Sequence, residues 1–468
     1  MRGCGSSPCP GSGRGGWAGW LRTARPDRVA GEEVVPVSES DAQTPGLPLV
    51  LLSHRGPVSF GHTAEGERTV SRGSGGLVTA LTGLASELGD AVWICAADGE
   101  EDLAVAREAG GGSVRVAMGA PLRLVGADER VDEPHLSVRM VQTDPAAHAA
   151  FYTVVSNPIL WFVQHGLYGL ATSPAFTAAE HAAFRDGYLA INQVFADAVV
   201  EEVQARGGRA LVLLQDYHFY VVAEQVRRRC PQAVLSHFVH IPWPGPDGWR
   251  VLPPSMRDPL FRGLLGNDVV GFQTVRAARN FLSGCEQFLG LAVDRNAMTV
   301  RVGERTVTAR AYPISVDPAP LDTLCGSDEV AGHVAHLTEE FLSDGRRLVL
   351  RVDRTDPSKN VVRGFLAFGE LLDQHPELVG RVSFLALLQP SRQDVPEYAD
   401  YLARIGATVA EVNARHTAEG RQPIDMRLVE DFPLAVAAYS VCDVITVNAI
   451  ADGMNLVAKE VSVINKRD

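Results

Sequence analysis

The chain has 468 residues, 46% hydrophobic and 21% charged, an ordinary balance for a folded protein of two or three domains. Its 43 basic and 56 acidic side chains leave a net charge of −13, which argues against a general nucleic-acid binder but not against local basic pockets for phosphate. No run of 18 apolar residues occurs, so no membrane span is expected.

Residues 1–46 are rich in Gly, Ser, Pro and Arg and lack the continuous apolar stretch of a signal peptide. They read as a disordered tail, with Trp17 and Trp20 set among glycines. From Leu49 the pattern changes to short apolar runs alternating with longer amphipathic stretches. Buried strands are expected at Leu49–Ser53, Ala91–Cys95, Leu211–Leu214, Val234–Val239, Val269–Phe272, Leu348–Val352, Val382–Leu388 and Val444–Val447. Helical periodicity lies between them, for example from His181 to Val203 and from Val362 to Leu372. Such alternation implies parallel sheets covered by helices. The segment Ala311–Pro318 reads as a last strand entering a Pro-marked linker, after which the alternation starts afresh. Two Rossmann-like α/β domains, at about 47–317 and 318–468, are therefore expected to face each other across a cleft. Ligands of open α/β sheets sit beyond the carboxyl ends of the strands, so the chemistry is sought there.

The first strand ends in Ser53-His54-Arg55-Gly56-Pro57, and Arg72-Gly73-Ser74-Gly75-Gly76-Leu77 precedes a helical stretch. Glycines before a helix let backbone N–H groups approach a phosphate, although this spacing is neither a Walker loop nor a dinucleotide fingerprint. Two successive strands end in Gln215-Asp216-Tyr217-His218 and His240-Ile241-Pro242-Trp243-Pro244. The carboxylate of Asp216 and the imidazole of His240 suit sugar hydroxyls, and the flanking prolines stiffen the second loop. The second half opens with Arg354-Thr355-Asp356-Pro357-Ser358-Lys359, where two cations near a helix start suit a diphosphate. Arg392 follows the next strand. In Asp452-Gly453-Met454-Asn455-Leu456-Val457-Ala458-Lys459-Glu460, Gly453 permits close backbone approach, Asp452 can accept from sugar hydroxyls and Glu460 can take a ribose diol.

Seven scattered cysteines with no CxxC pair suggest neither a zinc site nor a disulfide framework, and a reducing cytoplasm is the natural reading. No metal-ligand spacing is visible, and no metal or other cofactor is expected.

Together the stretches SHRGPVSF, FYTVVSNPILW, QDYH, HIPWP, RVDRTDPSKN, QPSRQD and DGMNLVAKE resemble the trehalose-6-phosphate synthase family from about Leu49 to Glu460. HIPWP and DRTDPSKN look more like its actinobacterial branch, which also includes validamycin-type pseudo-glycosyltransferases. The resemblance implies a retaining glycosyltransferase of the two-Rossmann-domain, GT-B type. It would move glucose from UDP-glucose or GDP-glucose to glucose-6-phosphate, without a metal. Related acceptors, an aminocyclitol phosphate or glycerol phosphate, remain alternatives, as does an inactive paralogue that only binds ligands. Carried over by position, Arg55, Tyr152 and Arg392 would hold the acceptor phosphate, with Trp161 lining the same pocket. Gly76 would offer its backbone to the donor. Asp216 would contact acceptor hydroxyls and His240 the donor sugar, and Arg354 and Lys359 would hold the diphosphate. Asp452 would bind donor-sugar hydroxyls and Glu460 the ribose, and Gly453, Met454, Asn455 and Leu456 would complete the donor site. The implied partners are small molecules, with no nucleic acid or membrane, and a homo-oligomer is allowed. Family members continue beyond the point eight residues past Glu460 where this chain stops, so the second domain is expected to be incomplete.

Overall fold

The computed structural model describes residues 47–73, 81, 91–119, 121–126, 129, 134–171 and 176–466. The expected tail at 1–46 and the glycine loop around Gly76 lie outside the described residues. From Leu47 on, the chain forms one unit built on two sheets.

In chain order the first part supplies β1 (Leu49–Leu52), β2 (Val58–His62), β3 (Arg68–Arg72), β4 (Ala91–Ala96), β5 (Val114–Ala117), β6 (Arg123–Val125), β7 (His135–Val141), β8 (Leu211–Gln215) and β9 (Val234–Val239). It continues with β10 (Val269–Phe272), β11 (Val293–Asp294), β12 (Thr299–Val302) and β13 (Arg305–Ala311). Eleven of these form one sheet in the order β11-β12-β13-β10-β9-β8-β1-β4-β7-β5-β6, and β2 and β3 pair apart as a hairpin. The seven strands from β13 to β7 run parallel, with antiparallel pairs at both edges. The second sheet is all parallel: β14 (Arg347–Arg354), β15 (Val382–Gln389), β16 (Ile424–Leu428) and β17 (Val444–Ile445), in the order β16-β15-β14-β17.

Apolar residues on both faces explain why the central strands read as continuous hydrophobic runs. In β1, Val50 and Leu52 enter one core cluster while Leu49 and Leu51 enter another. In β15, Leu385 and Leu387 go to one side, and Phe384, Ala386 and Leu388 to the other. All eight expected strands are present, within a few residues at their ends. The last strand of the first sheet is a correction. It is Arg305–Ala311, and the residues from Tyr312 to Asp317 form no strand. The Arg305–Ala311 strand alternates apolar Val307 and Ala309 with polar neighbours because only one side of it packs into the core.

One helical rod, Pro145–Gln164, is long and apolar enough to cross a membrane by length and composition. Phe151, Val155, Ile159, Phe162 and Val163 on it are fully buried in the main core, which accounts for its apolar character. The rod starts under an Asp144 cap, whose carboxylate accepts from the Ala147 N–H at 2.8 Å. It then widens into a π-helical stretch from Ala150 to Trp161. A second π-helical stretch, Ala183–Leu189, packs on it so tightly that a side chain at Gly187 would meet the Ala150 Cβ at 2.7 Å. Both π-helical stretches depart from the 3.6 periodicity, and the first carries Tyr152 and Trp161.

Candidate active site

Parallel registers line up the strand ends. Leu52 pairs with Leu214 and Gln215 with Phe238, so Ser53-His54-Arg55, Asp216-Tyr217-His218 and His240 emerge side by side. In the second sheet Arg354 pairs with Gln389, which brings Arg354 beside the loop holding Arg392.

Asp216 sits at φ 65° and ψ −178°, a backbone region that costs a non-glycine residue about 1–3 kcal/mol. The strain is held by its N–H donating to the Phe238 carbonyl at 2.8 Å and by the His240 N–H donating to its carboxylate at 3.2 Å. Burial pushes the Asp216 carboxyl up to about 7, against the stabilising N–H groups of His240, Tyr217 and Ile241. Burial also pushes His240 down to about 3, so its ring is neutral, and its Nε2–H donates to Gln215 Oε1 at 2.9 Å.

The other half of the site centres on Asp356, which is fully buried and caps the short turn Pro357–Lys359. Its carboxylate accepts from the Ser358 N–H (2.8 Å), the Trp161 indole N–H (3.3 Å), the Tyr398 hydroxyl (3.2 Å) and Arg392 (3.4 Å), and it pairs with Arg354 at 3.6 Å. Burial alone would raise this carboxyl, yet Arg354 and Arg392 outweigh it and hold the pKa down at about 2. Arg392 donates further to the hydroxyls of Tyr398 (2.5 Å) and Tyr217 (3.0 Å), and its guanidinium lies 4.2 Å from the centroid of the Trp161 ring. Its buried Nε has no hydrogen-bond partner among the described residues. Residues from the two sheets thus share one network.

Beside it, Lys359 Nζ contacts Asp452 at 2.5 Å, and Asn455 donates to the same carboxylate at 3.1 Å while capping the helix Leu456–Ile464. His165 stacks on Trp161 at 4.1 Å and feels Asp356, Asp452 and Lys359 electrostatically, linking the two clusters. A side chain at Gly453 would lie 1.7 Å from the His240 carbonyl oxygen, so the loop of the second sheet approaches the first to backbone contact there. Glu460 accepts from the Tyr439 hydroxyl at 3.2 Å, and burial raises its carboxyl.

The expected residues are therefore brought together to different degrees. Tyr152 stacks on His54 and His218, at 4.9 and 6.0 Å, and both Tyr152 and Arg392 act within this cluster. Arg55 is exposed and close enough to bear on His54 together with Arg392. Trp161 is 6% exposed, and rather than presenting an open face it braces Arg392 and Asp356. Met454 and Leu456 are half-buried in the loop and first turn after β17. Sequence reasoning missed Tyr217, Asp356, Tyr398 and His165 as parts of the site. Asp356 stood between the two cations read as diphosphate ligands, and its one available signal was the Asp-Pro pair of a capped turn.

Two α/β sheets with facing strand ends, a cation pair at a helix start and a close loop contact between the halves define a GT-B-type glycosyltransferase. The model of glycosyltransferase family 20 matches residues 48–468, and the chain belongs to that family. Among its relatives, an α,α-trehalose-phosphate synthase [UDP-forming] of Aspergillus niger is 31% identical over 88% of this chain and 80% of its own length. The Schizosaccharomyces pombe α,α-trehalose-phosphate synthase [UDP-forming] is 31% identical over 88% of this chain and 74% of its own. Among solved structures, the α,α-trehalose 6-phosphate synthase of Burkholderia multivorans superposes with a TM-score of 0.70 at 27% identity, over 90% of this chain and 80% of that one. The Burkholderia xenovorans enzyme in complex with glucose-6-phosphate gives 0.71 at 24% identity, over 90% and 83%.

Proposed function

We propose that the protein transfers glucose from UDP-glucose to glucose-6-phosphate with retention, giving α,α-trehalose-6-phosphate and UDP. The carrying observation is Arg392, a cation of the second sheet whose guanidinium reaches Tyr217 and Trp161 of the first. A dianion bound there is held by both halves at once. In this reading residues 47–317 serve the acceptor and 318–468 the donor, and the names of the relatives support UDP as the leaving group.

Arg55, Tyr152 and Arg392 bind the acceptor phosphate, and Trp161 keeps the Arg392 fork in place. Asp216 and neutral His240 orient sugar hydroxyls. The reaction breaks the bond between the glucosyl anomeric carbon and the β-phosphate oxygen, through a cationic, oxocarbenium-like transition state. The acceptor hydroxyl forms the new bond from the same face and its proton passes to the departing phosphate oxygen. Lys359 and Arg354 stand where negative charge grows on that phosphate, so their stabilisation is largest in the transition state. Lys359 must exchange its contact with Asp452 for the phosphate, which frees Asp452 for donor-sugar hydroxyls. Gly453, Met454, Asn455 and Leu456 frame the diphosphate, and Glu460 takes the ribose diol.

The test is a screen of UDP-glucose and GDP-glucose against glucose-6-phosphate, glycerol phosphate and aminocyclitol phosphates, with products assigned by NMR. A UDP-dependent 1,1-linked α,α product from glucose-6-phosphate is expected. Turnover of another acceptor alone would overturn the acceptor assignment.

A further inference from the structure

The guanidinium of Arg351, on β14, is fully buried against the turn that carries Lys359. Its Nη1 donates to the Lys359 carbonyl and to the Asp353 carboxylate, each at 3.1 Å, and its Nη2 donates to Asn448 Oδ1. The carbonyls on either side of Lys359 are held from the loop that leads to Asp452. Ser358 accepts from the Ile450 N–H at 2.8 Å, and Asn360 from the Asn448 amide at 3.4 Å. Asn360, at φ 57°, returns a bond from its own amide to the Asn448 carbonyl at 3.0 Å. Three successive carbonyls are thus fixed, the middle one by Arg351, and the turn with Lys359 is locked to the loop with Asp452. Two features of the sequence work against stability to allow this. A buried Arg–Asp pair is often no more stable than apolar side chains of the same volume. Gly364 weakens the helix Val361–Gln374 from within, yet a Cβ there would lie 2.8 Å from the Arg351 Nη2, so the glycine makes room for the guanidinium.

We propose that Arg351 and Asp353 are positioning residues of the donor site: Arg351 sets the Lys359 turn and supplies a third positive charge behind it, and Asp353 decides how much of that charge the diphosphate feels. The proposal rests on the donor reading above. The Asp353 side chain is 7% exposed and faces Lys359, Arg351, Asp452 and Arg354, with Tyr439 also near enough to feel it. Lys359, Arg354 and Arg351 bring three positive charges to this corner, Asp353 and Asp452 take two back, and Asp356 is matched by Arg392. A diphosphate ester brings two negative charges and leaves one in excess, which a proton on Asp353 balances. Burial raises the Asp353 carboxyl to about 6, although Lys359, Arg351 and Arg354 favour its ionised form, and Asp452 adds to the rise. Donor entry therefore favours the protonated carboxyl, and donor binding weakens as pH rises through 6.

The experiment titrates UDP-glucose calorimetrically into the full chain, into Asp353→Asn and into the double variant Arg351→Met, Asp353→Asn. Both ends of the UDP-glucose diphosphate are esterified, so the ligand itself keeps its charge across the range. The parent's affinity should fall by up to about eightfold from pH 5.5 to 7, the limit for one proton on a group of pKa about 6, and Asp353→Asn should lack this fall. Asp216 and Glu460 are raised in all three proteins, so the difference between proteins isolates Asp353. Replacing Arg351 in the Asp353→Asn background should weaken UDP-glucose binding by at least about tenfold at every pH, with the glucose-6-phosphate affinity and the melting temperature close to those of Asp353→Asn. A pH profile shared by the parent and Asp353→Asn, or donor affinity unchanged on removing Arg351, would overturn the proposal. Loss of both ligands together with a collapsed melting temperature in the double variant would also overturn it and leave a purely structural pair. A parent that binds no UDP-glucose at any pH would overturn the donor reading and this proposal with it.

Discussion

The Nη2 of Arg392 donates to the Tyr217 hydroxyl across 3.0 Å, and that hydroxyl in turn donates to Asn157 Oδ1 at 2.7 Å. One phenol therefore connects the loop after β15 to the loop after β8 and to the rod Pro145–Gln164. Tyr217→Phe keeps the ring and removes the connection. The buried Asn157 and the guanidinium each lose a partner, which costs about 1–3 kcal/mol for an unsatisfied buried group. A lower melting temperature and a raised KM for glucose-6-phosphate are expected, measured by calorimetry and steady-state kinetics.

Asp356 gives the fold an acid-sensitive tie. Its carboxyl has a pKa of about 2 in the folded chain against an ordinary 3.8. Between those values the unfolded chain binds more protons than the folded one, so stability rises with pH there. The contribution is present above about pH 4 and is lost as pH falls toward 2. Asp356→Asn should flatten that part of the stability profile. It should also destabilise the chain at neutral pH by about 3–5 kcal/mol, because Arg354 and Arg392 are left uncompensated. Urea melts of both proteins from pH 2.5 to 7 check both statements.

Asp216 works in the opposite sense. Its folded pKa is raised to about 7, so the folded chain binds the extra proton between about pH 4 and 7, and this group's stabilising effect fades as pH rises through 7. If the ionised carboxylate is what orients the sugar, kcat/KM rises over the same range as stability falls. Asp216→Asn should remove the rise. A parallel rise in the variant would assign it to another group.

Lys359 and Arg354 are expected to act mainly on charge that develops during bond breaking. Lys359→Ala should lower kcat on the order of 10²-fold, with a smaller change in the affinity for UDP. Stopped-time kinetics and UDP titrations separate the two effects. A raised donor KM with kcat intact would make these cations binding groups only.

Legibility in the sequence followed burial. Ala91–Ala96 and Phe384–Leu388 are covered on both faces and read as uninterrupted apolar runs. By contrast His135–Val141, Arg305–Ala311 and Ile424–Leu428 carry polar or charged side chains on alternate positions, toward the margins of their sheets, and were passed over. The cations Arg354, Lys359 and Arg392 were legible because each follows such a run. Tyr217, Tyr398 and Asp356 were not, since their roles arise from contacts between distant chain segments: Tyr217 with Arg392 at 175 residues, Trp161 with Asp356 at 195 and Asp356 with Tyr398 at 42.

The central claim is that Arg392 reads the acceptor phosphate from the far side of the cleft. Titrating glucose-6-phosphate and unphosphorylated glucose into the parent and into Arg392→Ala, in the presence of UDP, tests it most directly, with Arg392→Lys as a control that keeps the charge but not the guanidinium fork and melting curves to verify folding. The account predicts that the parent strongly prefers glucose-6-phosphate and that Arg392→Ala loses most of that preference, about 1.5–3 kcal/mol for a charge-assisted contact. An undiminished preference in a folded Arg392→Ala protein would contradict it.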